Sequence, residues 1–359
     1  MRHFNSAACV AAILVAAPMA AALPVRAEPA SAAQTETPQD QAAMRQWLAD
    51  SARWTGLHNQ LLMVRVRHLT GLGAGAAPIQ QLAMGGDKAG AAAAAARWKT
   101  EQQALLASDR TALAAIAPLA PLAVNPALLA RPDVHEALAG PLAHIEGLPA
   151  RYAAFMDLTD RQAAEYMDTI AAAAASRNPE QAFQLAKIDL VIALLDSECV
   201  LLDTTSQQAG AHRFVSASNI QSDMALAQWY RHLRDLWNQA PVDRAARAAA
   251  IHASAVEIRL DADRIVEAAR QQEAENRGNP VLSSPTQQDF LTRYRAGFEE
   301  GAGIEREMAA VLDQMADKIT AGEDEAAMAL ADQTGAISRR RTASQLQRDA
   351  LMQQLAAPT

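Results

Sequence analysis

The chain has 359 residues, 50% apolar but only 4% aromatic, and a formal net charge of −8. That length suits one large core or two domains. The acidic balance excludes a nucleic-acid binder built on a basic surface, two cysteines exclude a disulfide-stapled scaffold, and abundant alanine with few aromatic residues favours helix over sheet.

Residues 1–27 carry the three parts of a bacterial-type secretory signal. Arg2 supplies the positive start, 7–22 form the apolar run, and Val25 and Ala27 occupy positions −3 and −1 for cleavage before Glu28. The run falls short of the ~20 apolar residues that span a bilayer, and Pro18 interrupts it. An uncleaved anchor is the competing reading. Cleavage removes Arg2 and Arg26 and no acid, taking the net charge from −8 to −10. It also removes Cys9, so Cys199 stands alone in the mature chain. Its neighbours Asp196, Glu198 and Asp203 disfavour a thiolate, which points to a structural role. The expected location is periplasmic or secreted.

After a flexible leader at 28–37, Pro38 opens a long helix in which Met44, Trp47, Trp54, Leu57, Leu61, Val64 and His68 recur at helical spacing. Five closely spaced residues, Gly71 to Gly75, predict its end, and a Gly-rich mobile loop is expected over 71–90. That loop lacks the Lys-Ser/Thr of a phosphate-binding loop. A helix follows over 91–117. Pro118, Pro121 and Pro126 then break the chain, and short helices are expected over 126–157, with Pro132, Pro141 and Pro149 as starts or kinks. Residues 38–176 thus form an N-terminal helical region.

Residues 177–359 read as a C-terminal helical bundle. Asn178-Pro179 is a strong helix start, opening an almost uniformly apolar, central helix that runs to about Gln208. Ser218 or Ser222 is the expected start of the next helix. Helices over 241–277 and 286–321 follow, the second ended by Gly322, and the tail over 323–356 is expected to split near Gly335. Ile251, Ala255, Ile258, Ala262, Ile265 and Ala269 make a heptad-like seam. Leu291, Tyr294, Phe298, Ile304, Met308, Val311, Met315 and Ile319 make a second. The two helices should pair as an antiparallel hairpin across 278–285. Gly297, Gly301 and Gly303 inside the latter helix predict a close crossing or a kink.

The features that could carry chemistry are few. Asp189, Asp196 and Asp203 repeat every seven residues on one face of the central helix. They read as a solvent-facing strip, as partners of arginines on a neighbour, or as part of a cation site. Residues seven apart lie ~10.5 Å apart along the axis, so an ion would need a second helix. His232 and Asp235 share a helix face near Trp229 and Trp237 and could line a pocket. Asp189, Asp196, His232 and Asp235 are therefore the weak metal or ligand candidates. No Glu has a His three residues on, as di-iron bundles require, and no nucleophile motif is present. The sequence calls for no cofactor and no catalytic residue. Arg339-Arg340-Arg341 reads as a solvated surface or helix-end feature before it reads as a polyanion site.

Leu158-Thr159-Asp160-Arg161-Gln162 resembles the LTxxQ signature of the helical periplasmic stress proteins and chaperones of the CpxP/Spy group. The resemblance covers five residues in one copy, where that group has two and a chain about half as long. It implies a stress-chaperone role. The same pentapeptide also reads as a helix start, with Thr159 as cap and Gln162 completing a capping box.

The fold expected is all-α, one or two elongated bundles of long, mostly antiparallel helices. The function expected is non-catalytic, acting in the cell envelope on another envelope protein through helical surfaces. The alternatives are a periplasmic small-ligand or metal-binding bundle and a chaperone of the kind just named.

Overall fold

The computed structural model describes residues 38–126, 132–205, 210–277 and 284–356. The expected signal segment at 1–27, the leader at 28–37 and most of the 278–285 turn lie outside the described residues. Among those residues about 90% are helical and none is in a strand. The helices are α1 (Pro38–Gly75), α2 (Ala77–Met84), α3 (Lys88–Ala114), α4 (Pro132–Ala175), α5 (Pro179–Thr205), α6 (Ala211–Trp237), α7 (Arg244–Arg277), α8 (Pro285–Ala321) and α9 (Asp324–Ala356). The fold is an all-α helical bundle. From α4 onward each helix packs on the next.

Local signals account for many of the ends. Asn178 Oδ1 accepts from the Gln181 amide at 3.3 Å, opening α5. Ser284 and Gln287 form a capping box at the start of α8, and Gly322 closes that helix at φ +78°. Both actions satisfy backbone groups that a helix end leaves open.

The α7–α8 hairpin forms as the two stripes predict. Ile251, Ala255, Ile258, Ala262, Ile265 and Ala269 are all buried, as are the eight residues of the α8 stripe. Ion pairs fix the antiparallel register. Arg270 meets Glu299 at 3.1 Å and Arg306 meets Asp263 at 2.8 Å. At the far end, Arg244 donates to the Ile319 carbonyl at 3.2 Å. Alternating isoleucine and alanine lets the helices approach closely, since alanine adds little volume at the contact.

Four expectations fail, each for a packing reason. The 71–90 segment is mostly helical: α1 runs through Gly71 and Gly73, α2 follows after a turn at Ala76, and 85–87 make the other turn. Leu72, Ala76, Ile79 and Ala83 are buried in one cluster with Trp98 of α3. Burial of that face holds the glycines in a helix. The 132–157 stretch is one piece of the 44-residue α4, unbroken at Pro141 and Pro149. Pro149 is exposed while its neighbours Leu148 and Tyr152 are buried against α1, and that burial offsets the hydrogen bond a proline removes. Ser218 and Ser222 are buried mid-helix rather than caps, because α6 begins at Ala211. α9 crosses Gly335 without a break.

Helix α5 is shared between the two halves. Phe183, Ala186 and Leu190 belong to the core formed with α1–α4, and Ile188, Val191 and Leu195 to the core formed with α6–α9. The turn at 176–178 therefore separates α4 from α5 without dividing the packing.

The N-terminal half closes around Arg65 of α1, which is fully buried. Its Nε donates to Thr159 Oγ1 at 3.0 Å. Its other nitrogens face Asp160 and, at 3.6 Å, Asp109. One guanidinium thus ties α1 to α3 and α4.

The close approach at Gly75 can be tested. A Cβ there would lie 2.5 Å from Trp98 Nε1, whereas at Gly71 it would meet nothing within 4 Å. Gly75→Ala should cost roughly 1–3 kcal/mol through overpacking. Gly71→Ala should be neutral or add up to about 1 kcal/mol. Urea unfolding midpoints of the two variants check both.

Candidate functional site

The sequence candidates do not converge. Asp189 meets Arg234 Nε at 2.8 Å, and Asp196 takes two hydrogen bonds from Arg231, at 2.7 and 2.9 Å. These two members of the heptad strip are thus held by arginines of α6. The Asp203 side chain lies outside the described residues. Asp235 meets Arg247 at 3.1 Å. It lines a cleft of about 350 Å³ with Gln228, Pro241, Asp243 and Ala246, where Arg247 also binds Gln228 at 2.7 Å. His232 is fully buried and stacks on Trp229. Its Nε2 lies 2.9 Å from Asp324, the first residue of α9, and Arg244 grips the same carboxylate at 2.6 and 2.7 Å. Hydrogen bonds from Arg244 hold the Asp324 carboxyl below the usual range. Among the described residues no three His, Cys, Asp or Glu side chains gather as metal ligands would.

The LTxxQ pentapeptide sits inside α4 rather than at a helix start. Thr159 Oγ1 donates to the Phe155 carbonyl at 2.9 Å while accepting from Arg65. Asp160 pairs with Arg65 and Arg110. Gln162 donates to the Ala193 carbonyl at 3.1 Å and accepts from Ser197, joining α4 to α5. These side chains connect helices and do not cap one.

What the structure brings together instead is a cluster of buried charge in the C-terminal half. Glu198 of α5, Asp223 of α6, Glu305 of α8 and Arg341 of α9 are all buried, along with Ser218 and Ser222. Arg341 Nη2 donates to Glu305 Oε2 and, at 2.9 Å, to Ser222 Oγ. Ser218 Oγ donates to the same Glu305 oxygen at 2.5 Å. Three carboxyls therefore share one guanidinium. Burial pushes the Asp223 carboxyl up to about 8, against a smaller opposing pull from Arg341. Burial, and then the nearby Asp223 charge, raises Glu198 well above the ordinary carboxylate range. Glu198 Oε1, Asp223 Oδ2 and Asn219 Oδ1 are buried acceptors with no donor among the described residues. Cys199 borders the cluster as a free thiol. Desolvation and three neighbouring carboxylates push it up to about 12, which makes it a poor nucleophile.

The arginine run 339–341 is divided by this arrangement. Arg339 is exposed. Arg340 holds Glu307 at the surface at 2.7 Å. Arg341 turns inward, contrary to a reading of the run as solvated. One turn pair further along, Arg348 lies over Gly297 and Gly301, whose added Cβ atoms would come within 3.0 Å of it. It donates to the Gly297 carbonyl at 3.1 Å. Two of the three α8 glycines thus make room for an arginine, and α8 is not broken there. Nothing in the structure explains Gly303.

A sequence signal for the cluster existed. On α8 the buried residues Phe298, Ala302, Glu305, Ala309, Leu312, Ala316 and Ile319 alternate spacings of four and three. Glu305 takes a position where a core residue belongs. On α9, Thr334, Ser338, Arg341, Ser344 and Arg348 are all buried, so the facing seam is polar. A charge at a seam position marks a buried partner on the next helix.

Compared with protein-family models, with curated proteins and with solved structures, the chain has no match.

Removing one partner of a buried pair leaves an uncompensated charge. Arg341→Met should therefore cost about 3–5 kcal/mol. The double change Arg341→Met/Glu305→Gln, which removes both charges, should cost clearly less than the single one. A double-mutant cycle by chemical denaturation measures the difference.

Proposed function

We propose that this chain is exported and works in the cell envelope by binding other proteins through its helical surfaces, without catalysis. The observation that carries the reading is a band of exposed apolar side chains: Val200, Met224, Val256 and Leu260 are 43%, 47%, 47% and 43% exposed. Neighbouring contacts put them at one level of the bundle. Cys199 meets the Ile220 carbonyl across α5 and α6. Arg247 meets Gln228, and Arg264 lies over Phe214, across α6 and α7. Large apolar side chains left exposed at one level of successive helices are candidates for association. No described helix is long and apolar enough to cross a membrane, so this band is not part of a span. The N-terminal segment 1–27 supports export, and the ligand candidates are each already held by an arginine or an Asp, which leaves the protein-binding reading ahead of the metal-binding one.

A chaperone of unfolded envelope proteins is the specific form of this role. The mature chain, 28–359, should delay light scattering by a heat-unfolded reporter enzyme. The triple variant Met224→Glu/Val256→Glu/Leu260→Glu, checked for unchanged helicity, should bind that client about tenfold more weakly, a loss of roughly 1.4 kcal/mol. A wild-type chain that neither delays aggregation nor cross-links to any envelope protein in cells would remove the reading. N-terminal sequencing of the product from the envelope fraction should begin at Glu28.

A further inference from the structure

We propose that Glu198, Asp223, Glu305 and Arg341 form a proton-operated catch: protons on Glu198 and Asp223 hold α5 closed on α6, and their release loosens that contact. The inference stands apart from the protein-binding role and rests on the charge inventory of the core.

Each helix packed around the cluster can be counted. From α5 come Glu198 and the neutral Cys199 thiol, and from α6 comes Asp223. From α7 comes Asp261, buried, with its own partner Arg264 at 2.8 Å; Glu257 lies near Asp261. From α8 comes Glu305, and from α9 comes Arg341, bound to Glu305. Other arginines at this level point outward to surface acids: Arg231 to Asp196, Arg306 to Asp263, Arg259 to Asp313 and Arg340 to Glu307. Arg348 is seven residues from Arg341, ~10.5 Å along the helix. Among the described residues, the cluster itself thus holds one cation, already engaged, against Glu305, Asp223 and Glu198. Two further carboxylates would stand buried beside each other with no second cation, at a cost no single guanidinium offsets.

Hydrogen bonding leads to the same state by a separate route. Among the described residues of the cluster, Glu198 Oε1, Asp223 Oδ2 and Asn219 Oδ1 are acceptors without donors, and Arg341 Nε is a donor without an acceptor. An ionised carboxylate only accepts, whereas a protonated one also donates. A proton on each of Glu198 and Asp223 supplies the missing donors and removes both surplus charges. The raised proton affinities of the two groups agree.

Both groups hold protons more tightly folded than unfolded. The stability they contribute is complete below the unfolded carboxyl range near 4 and is lost as pH rises through the folded value, about 8 for Asp223. Within that window the unfolding constant gains about tenfold per pH unit for each group involved. The α5–α6 contact should loosen first, because Glu198 and Asp223 face each other there while Glu305 keeps Arg341.

The test compares wild type with Glu198→Gln/Asp223→Asn by urea unfolding from pH 5.5 to 9.5. The wild-type unfolding constant should climb relative to that of the variant, by at least about tenfold per pH unit between 5.5 and 7.5. Other titrating groups cancel in the comparison. Parallel pH profiles would overturn the proposal. Two measurements on wild type alone stand if the variant does not fold. Infrared spectra should show the carbonyl stretch of a protonated carboxylic acid at pH 6 that disappears by pH 9.5; its absence at pH 6 would overturn the proposal. Amide protection over residues 186–205, corrected for the chemical exchange rate, should fall between pH 6 and 9 while that of 88–114 holds. A uniform fall, or none, would count against the catch.

Discussion

A guanidinium cannot shed its proton inside a protein, so a buried arginine dictates its surroundings. Arg65 and Arg341 each impose that constraint on one half of this bundle. Arg65 draws Asp109, Thr159 and Asp160 from two other helices around it. Arg341 draws Glu305 and Ser222. Such groups need not raise stability, since desolvation cancels much of the attraction. They do fix which helix faces which. In a bundle cored with alanine, that matters: small, similar side chains permit several registers of nearly equal packing, whereas a buried charge tolerates only the one that supplies its partners.

The rest of the C-terminal half adjusts to Arg341 and Arg348. The Arg348 side chain needs space beside α8, and that helix provides it with Gly297 and Gly301. The facing residues of α9 are serine and threonine rather than leucine, because they lie beside charge. The hairpin of α7 and α8 then carries the apolar load, with an uninterrupted seam from Ile251 to Ala269. Helix α5 links the two halves by presenting a different apolar face to each. Disturbance of α5 would therefore reach both cores.

The acidic excess at the centre lies at the same level as the exposed apolar band on α5, α6 and α7. A core whose occupancy by protons changes near neutrality can translate the surrounding pH into the spacing of two helices, and those helices carry part of the band.

The helices and many of their ends are legible in the sequence, since Asn178 and Gly322 act through local hydrogen bonding and backbone conformation that need no partner. The sequence also determined the α7–α8 pairing, because period and residue size are written along one helix. It misplaced ends wherever burial opposed local preference: at Gly71–Gly75, at Pro149, at Ser218 and Ser222, and at Gly335. Asp189, Asp196, His232 and Asp235 share spacing along single helices, and such spacing says nothing of the arginines and the aspartate that the fold sets across from them. Packing between helices sets Arg341 inward while Arg340 stays outside, and brings Glu198, Asp223 and Glu305 together around it. Their proximity depends on four helices, and no local pattern along any one of them encodes a distance to the other three.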